Sequence, residues 1–230
     1  METMTELKQA LERLPLDERE VIADWLQKLI DAQPPGYAVA EPRPSNAAVQ
    51  PLFMTVEEYL EFEEQSPIRH EYVNGAIYAM SGVSVAHARI TRELVMALGG
   101  HLRRGPCELF STDLKLMVRS DTDKIFYYPD VMVACQREDW GPDFVRNPKL
   151  VAEILSPSTN HIDRREKAMT YRRIASVEEY VLVAQDELEV IVQRRAENWR
   201  PQSYAGREAM VEFRSIGLSV PLAQIYEGTL

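Results

Sequence analysis

"LVAEIL", Leu150–Leu155, is an apolar run of the length that fills a buried strand, and one acid, Glu153, stands inside it. A lone ionised carboxylate loses its hydration in such a place and needs a partner. "YYPDVMVA", residues 127–134, repeats the anomaly with Asp130. If the two strands are neighbours, the acids converge and repel, unless a proton or a divalent cation lies between them. A hard cation such as Mg²⁺ suits that arrangement, because it takes one or two carboxylates and keeps several waters. An Arg or Lys partner, or a strand end in water, is the ordinary reading of either acid alone. Two such acids followed by a basic helix favour a site.

That helix is read in "IDRREKAMTYRRIA", residues 162–175. Lys167, Tyr171 and Ile174 are four and three apart, so they share a face that looks toward the sheet and aims Lys167 at Glu153. The competing use of Lys167 is a helix-surface pair with Asp163. Arg164, Arg165 and Arg172 on the same helix are candidates for phosphate contact, against the simpler reading of a solvated face.

The 230 residues are 45% hydrophobic and 27% charged, an ordinary globular balance. The net charge of -10 argues against nucleic-acid binding over the whole surface but leaves room for a local basic face. The charged N-terminus lacks a signal pattern, and no apolar run is long enough to span a bilayer. Cys107 and Cys135, in no metal-like spacing, read as buried thiols of a reducing compartment. These features together predict a cytoplasmic protein with no membrane contact.

Three segments are expected. Residues 1–31 form two amphipathic helices, a hairpin appendage that packs on the main domain or on a partner. Residues 32–52 contain five prolines and form an extended linker. Residues 53–230 form the main domain. Thr55 and Glu58 have capping-box spacing before a short helix. Asn74-Gly75 marks a hairpin within "HEYVNGAIYAM". Ser84 caps a longer helix with apolar positions from Ile90 to Leu102. "CELFSTDLKLMVR" and "KIFYYPDVMVA" read as two antiparallel strands, followed by strands at "KLVAEIL" and "EEYVLVA" and by two more strand-like runs. The fold class is α/β (α+β), a central mixed sheet flanked by helices.

The order and spacing of "HEYVNGAIYAMSG", "AHARI", "YPDVMV", "VAEILSPST", "DRREKAMTYRRI" and "GLSVPLAQIYEG" resemble the Uma-two family of endonucleases, within the PD-(D/E)XK nuclease superfamily and its restriction-endonuclease-like fold. The resemblance implies a Mg²⁺- or Mn²⁺-dependent endonuclease acting on DNA. A nuclease-like module that binds or regulates without cutting is the alternative. The resemblance makes Asp130, Glu153 and the carbonyl of Ile154 metal ligands and Lys167 the catalytic lysine. It adds Glu71 as a further ligand, with Asp113 a weaker one. The superfamily signature places its lysine two residues after the Glu, where this chain has Leu155; the Uma-two family likewise moves it to the following helix. His87, in "AHARI", reads as a capping or core histidine. A homodimer would suit double-strand cutting.

Overall fold

The computed structural model describes residues 53–80, 82–120, 123–137, 140–156 and 163–230, the side chains of Asp163 and Arg164 excepted. The expected N-terminal hairpin and linker lie outside these residues.

Helix α1 (Val56–Gln65) starts at the expected capping box, Thr55 and Glu58 each bonding the other's backbone N–H. The hairpin β1 (His70–Val73) and β2 (Ala76–Ala79) turns through Asn74 and Gly75, both at positive φ. Ser84 accepts the His87 N–H and opens α2 (Val85–Leu102). Next come β3 (Glu108–Ser111), β4 (Lys115–Arg119), β5 (Lys124–Tyr127), β6 (Val131–Ala134), the short β7 (Phe144–Val145) and β8 (Pro148–Leu155). A single π-helical turn, Asp163–Lys167, leads into α3 (Ala168–Arg173). The chain closes with β9 (Glu179–Ala184), β10 (Glu189–Arg194), β11 (Pro201–Ala205), the hairpin β12 (Met210–Phe213) and β13 (Leu218–Pro221), and α4 (Leu222–Ile225).

The α+β class holds, with two mixed sheets. The larger runs β11-β10-β9-β8-β6-β3, parallel only between β8 and β9. The smaller runs β2-β1-β5-β4-β7, parallel only between β4 and β7. The two long strands expected from residues 107–119 and 124–134 each split in two. β4 pairs with β5 in the small sheet, and β3 pairs with β6 in the large one. The break is a bulge: between the pairs Leu116–Tyr127 and Ser111–Val131, residues 112–115 oppose only 128–130. Thr112 takes a positive φ there and its N–H bonds the Asp130 carbonyl. A β-branched residue in the left-handed region is unusual, and this one sits where the hairpin passes between sheets. The bend carries Asp130 to the sheet junction.

Side-chain alternation assigns the faces. Val131, Val133, Leu150, Ala152 and Ile154 pack with Ile90, Leu94 and Leu98 of α2 and with the β12–β13 hairpin. Met132, Ala134, Val151 and Leu155 point the other way, into a core shared with Leu116 and Tyr127 of the small sheet and Tyr171 of α3. Glu153 falls between Val151 and Leu155 in this alternation. It faces the junction.

Cys107 and Cys135 form a disulfide, which corrects the expectation of free thiols. The β3–β6 register explains it: Glu108 pairs with Ala134, so the next step outward sets Cys107 opposite Cys135. The argument for a reducing compartment loses that support. Among the described residues no helix is long and apolar enough to cross a membrane. The bridge spans a sequence separation of 28, so Cys107→Ser is expected to lower stability by about 2–4 kcal/mol. Thermal melts with and without reductant measure the loss. Two thiols that react in the unreduced, denatured protein would disprove the bridge.

Candidate active site

Asp130 and Glu153 meet as the sequence predicts. β6 and β8 are antiparallel neighbours with Val131 opposite Ala152, which places the two acids side by side at the start of β6. Ile154 N–H donates to Asp130 Oδ2 at 2.7 Å, and Asp130 N–H reaches Glu153 Oε2 at 3.4 Å. Each acid therefore leans on the other's strand.

Lys167 also arrives. Its ammonium lies 3.2 Å from Glu153 Oε1 and 2.9 Å from Glu71 Oε1, and 5.4 Å from the centre of the Tyr127 ring. The π-helical turn and α3 bury Lys167, Tyr171 and Ile174 together, the face that the spacing predicts. Tyr171 donates to Glu153 Oε1 at 2.8 Å. Burial, then the Glu153 charge, push the Tyr171 hydroxyl well above its usual range, so it stays a donor. Tyr127 is pushed up to about 12, mainly by burial.

Glu71, on β1, is brought to the same place. Its Oε1 has the Lys167 charge at 2.9 Å but, among the described residues, no aligned hydrogen bond. Two carboxylates, Glu71 and Glu153, thus share one ammonium, and Asp130 stands beside Glu153. Asp113 does not join them: its side chain is exposed and pairs with Arg69 at 3.6 Å. Arg172 is engaged elsewhere, donating to Gln193 Oε1 at 2.6 Å and lying over the Trp199 ring. That contact ties α3 to β10. Arg165 is exposed, and the Arg164 side chain lies outside the described residues.

The donor set suits a hard divalent cation. Among the described residues, no group of three or more His, Cys, Asp or Glu side chains is arranged to hold a metal unaided. Two carboxylates with a backbone carbonyl, leaving positions for water, is nonetheless the pattern that Mg²⁺ accepts.

The profile of the Uma2 family, described as "Putative restriction endonuclease", matches residues 56–223. The chain belongs to the Uma2 family. The uncharacterized protein slr1290 of Synechocystis is 35% identical over 178 residues, 76% of this chain and 92% of that protein. The uncharacterized protein sll1609 of the same organism is 33% identical over 135 residues, 57% of this chain and 75% of that one. A crystal structure of a "putative nuclease belonging to DUF820" from Anabaena variabilis superposes with a TM-score of 0.63 at 18% identity, covering 77% of this chain and 99% of that one. At that identity the likeness concerns the fold. Family and fold together make this Uma2 chain nuclease-like.

Two residues of this Uma2 site escape sequence reading. His87 is no bystander: its Nε2 lies 2.9 Å from Asp130 Oδ1, with both side chains largely buried. An ionised carboxylate only accepts, so Nε2 carries the proton. Ser84, not His87, makes the helix cap. The second is Glu63, fully buried within the acidic-looking α1. It accepts from Tyr128 Oη at 2.9 Å and His70 N–H at 2.9 Å, and its other oxygen meets His70 Nδ1 at 3.0 Å. Tyr128 precedes Asp130 by two residues and His70 precedes Glu71 by one. Glu63 thus holds both acid-bearing segments from behind. His87 was marked only by its place in "AHARI", and for Glu63 the one available hint is that it lies four residues after Tyr59, on the same face of α1.

Glu63→Ala would strand three polar contacts in the interior and is expected to lower stability by about 2–4 kcal/mol, against about 1 kcal/mol for Tyr128→Phe. Urea denaturation measures both, and equal losses would deny Glu63 its locking role. The tyrosines give a pH signature. Their folded values exceed the ordinary value of about 10, so the stability they confer is intact below about pH 10 and is lost as pH rises beyond it. Between there and the Tyr127 value of about 12, the native protein should show less phenolate absorbance than the denatured chain. Coincident titration curves would contradict the burial of these hydroxyls.

Proposed function

We propose that this chain is a metal-dependent endonuclease that hydrolyses DNA phosphodiester bonds. The observation that carries the reading is the pairing of Asp130 with Glu153 at a sheet junction, where Glu153 and Glu71 share the Lys167 ammonium. Asp130, Glu153 and the carbonyl of Ile154 would hold Mg²⁺ or Mn²⁺, with Glu71 at its edge. When bound, such a metal supplies Lewis acidity to a phosphate oxygen and acidity to a bound water.

The chain's own groups do the rest. Water oxygen bonds to phosphorus and gives up a proton, negative charge builds on the phosphoryl oxygens, and the phosphorus–oxygen bond to the sugar breaks with the leaving oxygen taking a proton from solvent. The Lys167 ammonium is the donor placed to orient the water or to balance that charge. Tyr171 fixes the rotamer of Glu153 through its hydroxyl. His87 and the Ile154 N–H fix Asp130 from two sides. These supports keep reorganisation during the reaction small.

One observation favours the second reading, a binding or regulatory module without turnover. Lys167 and Tyr171 already satisfy Glu153 Oε1, and His87 and Ile154 satisfy Asp130. An internally neutralised cluster can stand as structure alone.

Plasmid cleavage with Mg²⁺ or Mn²⁺ separates the two. Wild-type protein is expected to nick or linearise DNA only with metal. Asp130→Ala, Glu153→Gln and Lys167→Ala, prepared identically, are expected to lose at least about 100-fold, the scale of a single missing transition-state donor. Cleavage that survives all three substitutions would assign it to a contaminant. Absence of cleavage in the wild type would put the binding module ahead.

A further inference from the structure

Away from the carboxylates, the small sheet and α3 border a cleft of about 230 Å³ whose rim carries Arg119, Arg146 and Arg173, with Asn147 and Thr170 between them. Arg119, at the end of β4, stands directly opposite Lys124 at the start of β5, and both are exposed. Like charges in facing register positions repel and destabilise a sheet. The acid lining the cleft, Asp123, is already engaged by Arg173 at 3.2 Å and by the Asn74 side-chain amide at 3.2 Å. Among the described residues no carboxylate pairs with Arg119, Lys124 or Arg146. Arg146 lies over the Phe144 ring, 5.0 Å from its centre, which holds its guanidinium at the rim. Among the described residues, three arginines and one acid therefore line the cleft, in a chain whose net charge is -10. An unrelieved pair of facing cations beside two arginines calls for an anion.

Two elements measure the cleft's separation from the site. Lys167 and Arg173 are six residues apart along one helical run, roughly 9 Å of rise. β5 runs from Lys124, the residue after the cleft-lining Asp123, to Tyr127 beside Lys167, roughly 10 Å of strand. A nucleic-acid strand advances about 3.4 Å per nucleotide, so the interval is about three nucleotides.

We propose that this cleft is a phosphate-binding subsite for the backbone of the nucleic-acid substrate, gripping it about three nucleotides from the bond positioned at Asp130 and Glu153. The proposal rests on the endonuclease reading and replaces Arg172 with Arg119 and Arg146 as the principal backbone contacts.

The test is fluorescence anisotropy of a labelled duplex with the full-length protein in EDTA, over a salt series. It compares wild type, Arg119→Ala/Arg146→Ala, and the control Arg103→Ala/Arg104→Ala, whose residues are exposed at the far end of α2. The cleft variant is expected to lose at least about tenfold in affinity and about two units of salt slope, one per phosphate contact removed, while the control keeps both. Arg119→Ala should melt at or above the wild-type temperature, because it relieves repulsion with Lys124. Equal affinity and slope in the cleft variant and the control would overturn the subsite, even where plasmid cleavage upholds the nuclease. A melting temperature that falls with affinity would also overturn it, by making the arginines structural. A wild type that neither binds nor cuts would overturn both readings.

Discussion

The structure depends on keeping the Glu153 carboxylate charged in a place where little water reaches it. Glu153 is 3% exposed, and every neighbour along β8 from Leu150 to Leu155 is buried as well. An isolated charge there would cost several kcal/mol. The compensation comes from sequence-distant groups: the Lys167 ammonium, the Tyr171 hydroxyl and the Asp130 N–H. Each demands a piece of architecture. Asp130 requires β6 beside β8 and the bulge that ends the β4–β5 pairing. Lys167 and Tyr171 require a helix over the junction, started by a turn that rotates Lys167 inward. The large sheet, the small sheet and α3 meet where that carboxylate needs partners.

The same arrangement has a second layer, with Glu63 behind the site as Glu153 is within it. Glu63 joins α1 to His70 and Tyr128, so the backbones that carry Glu71 and Asp130 share an anchor. Buried polar groups that are fully bonded rigidify their surroundings, and half-bonded ones weaken them. Glu63 is fully bonded, whereas Glu71 Oε1, facing Lys167, is not. Rigidity lies in the supports, and spare coordinating capacity lies at the centre. That is the distribution a binding centre needs.

What could be read from sequence follows from where each signal is stored. Asp130 and Glu153 were legible because an acid interrupts an otherwise apolar strand, and the Lys167–Tyr171 face because helical spacing is local. Glu71 came from family resemblance, with no local mark of its own. His87 stayed hidden because its partner is 43 residues away and helix starts carry histidines for other reasons. Glu63 stayed hidden because "VEEYLEFEE" reads as a solvated acidic helix, and periodicity does not say which of five glutamates turns inward. The disulfide depended on the β3–β6 register, which a bulge displaced by one residue. The cleft arginines come from three separate segments, where no linear pattern could gather them.

The acidic balance of the chain, which taken alone counts against a nucleic-acid substrate, is consistent with one once the charges are placed. Carboxylates crowd the centre and the surface, while Arg119, Arg146 and Arg173 line one cleft and Lys124 faces Arg119 across the strands. Surface charges farther apart than a Debye length, about 8 Å at physiological salt, are largely screened from one another. A phosphate at the cleft would respond to those four cations and little to the distant excess of acid. The negative centre would then help rather than hinder, repelling bare phosphates and admitting one only with a cation to mediate. On the proposed reading, affinity in the cleft and selectivity at the carboxylates would be separated along a single helical run, from Arg173 at one end to Lys167 at the other.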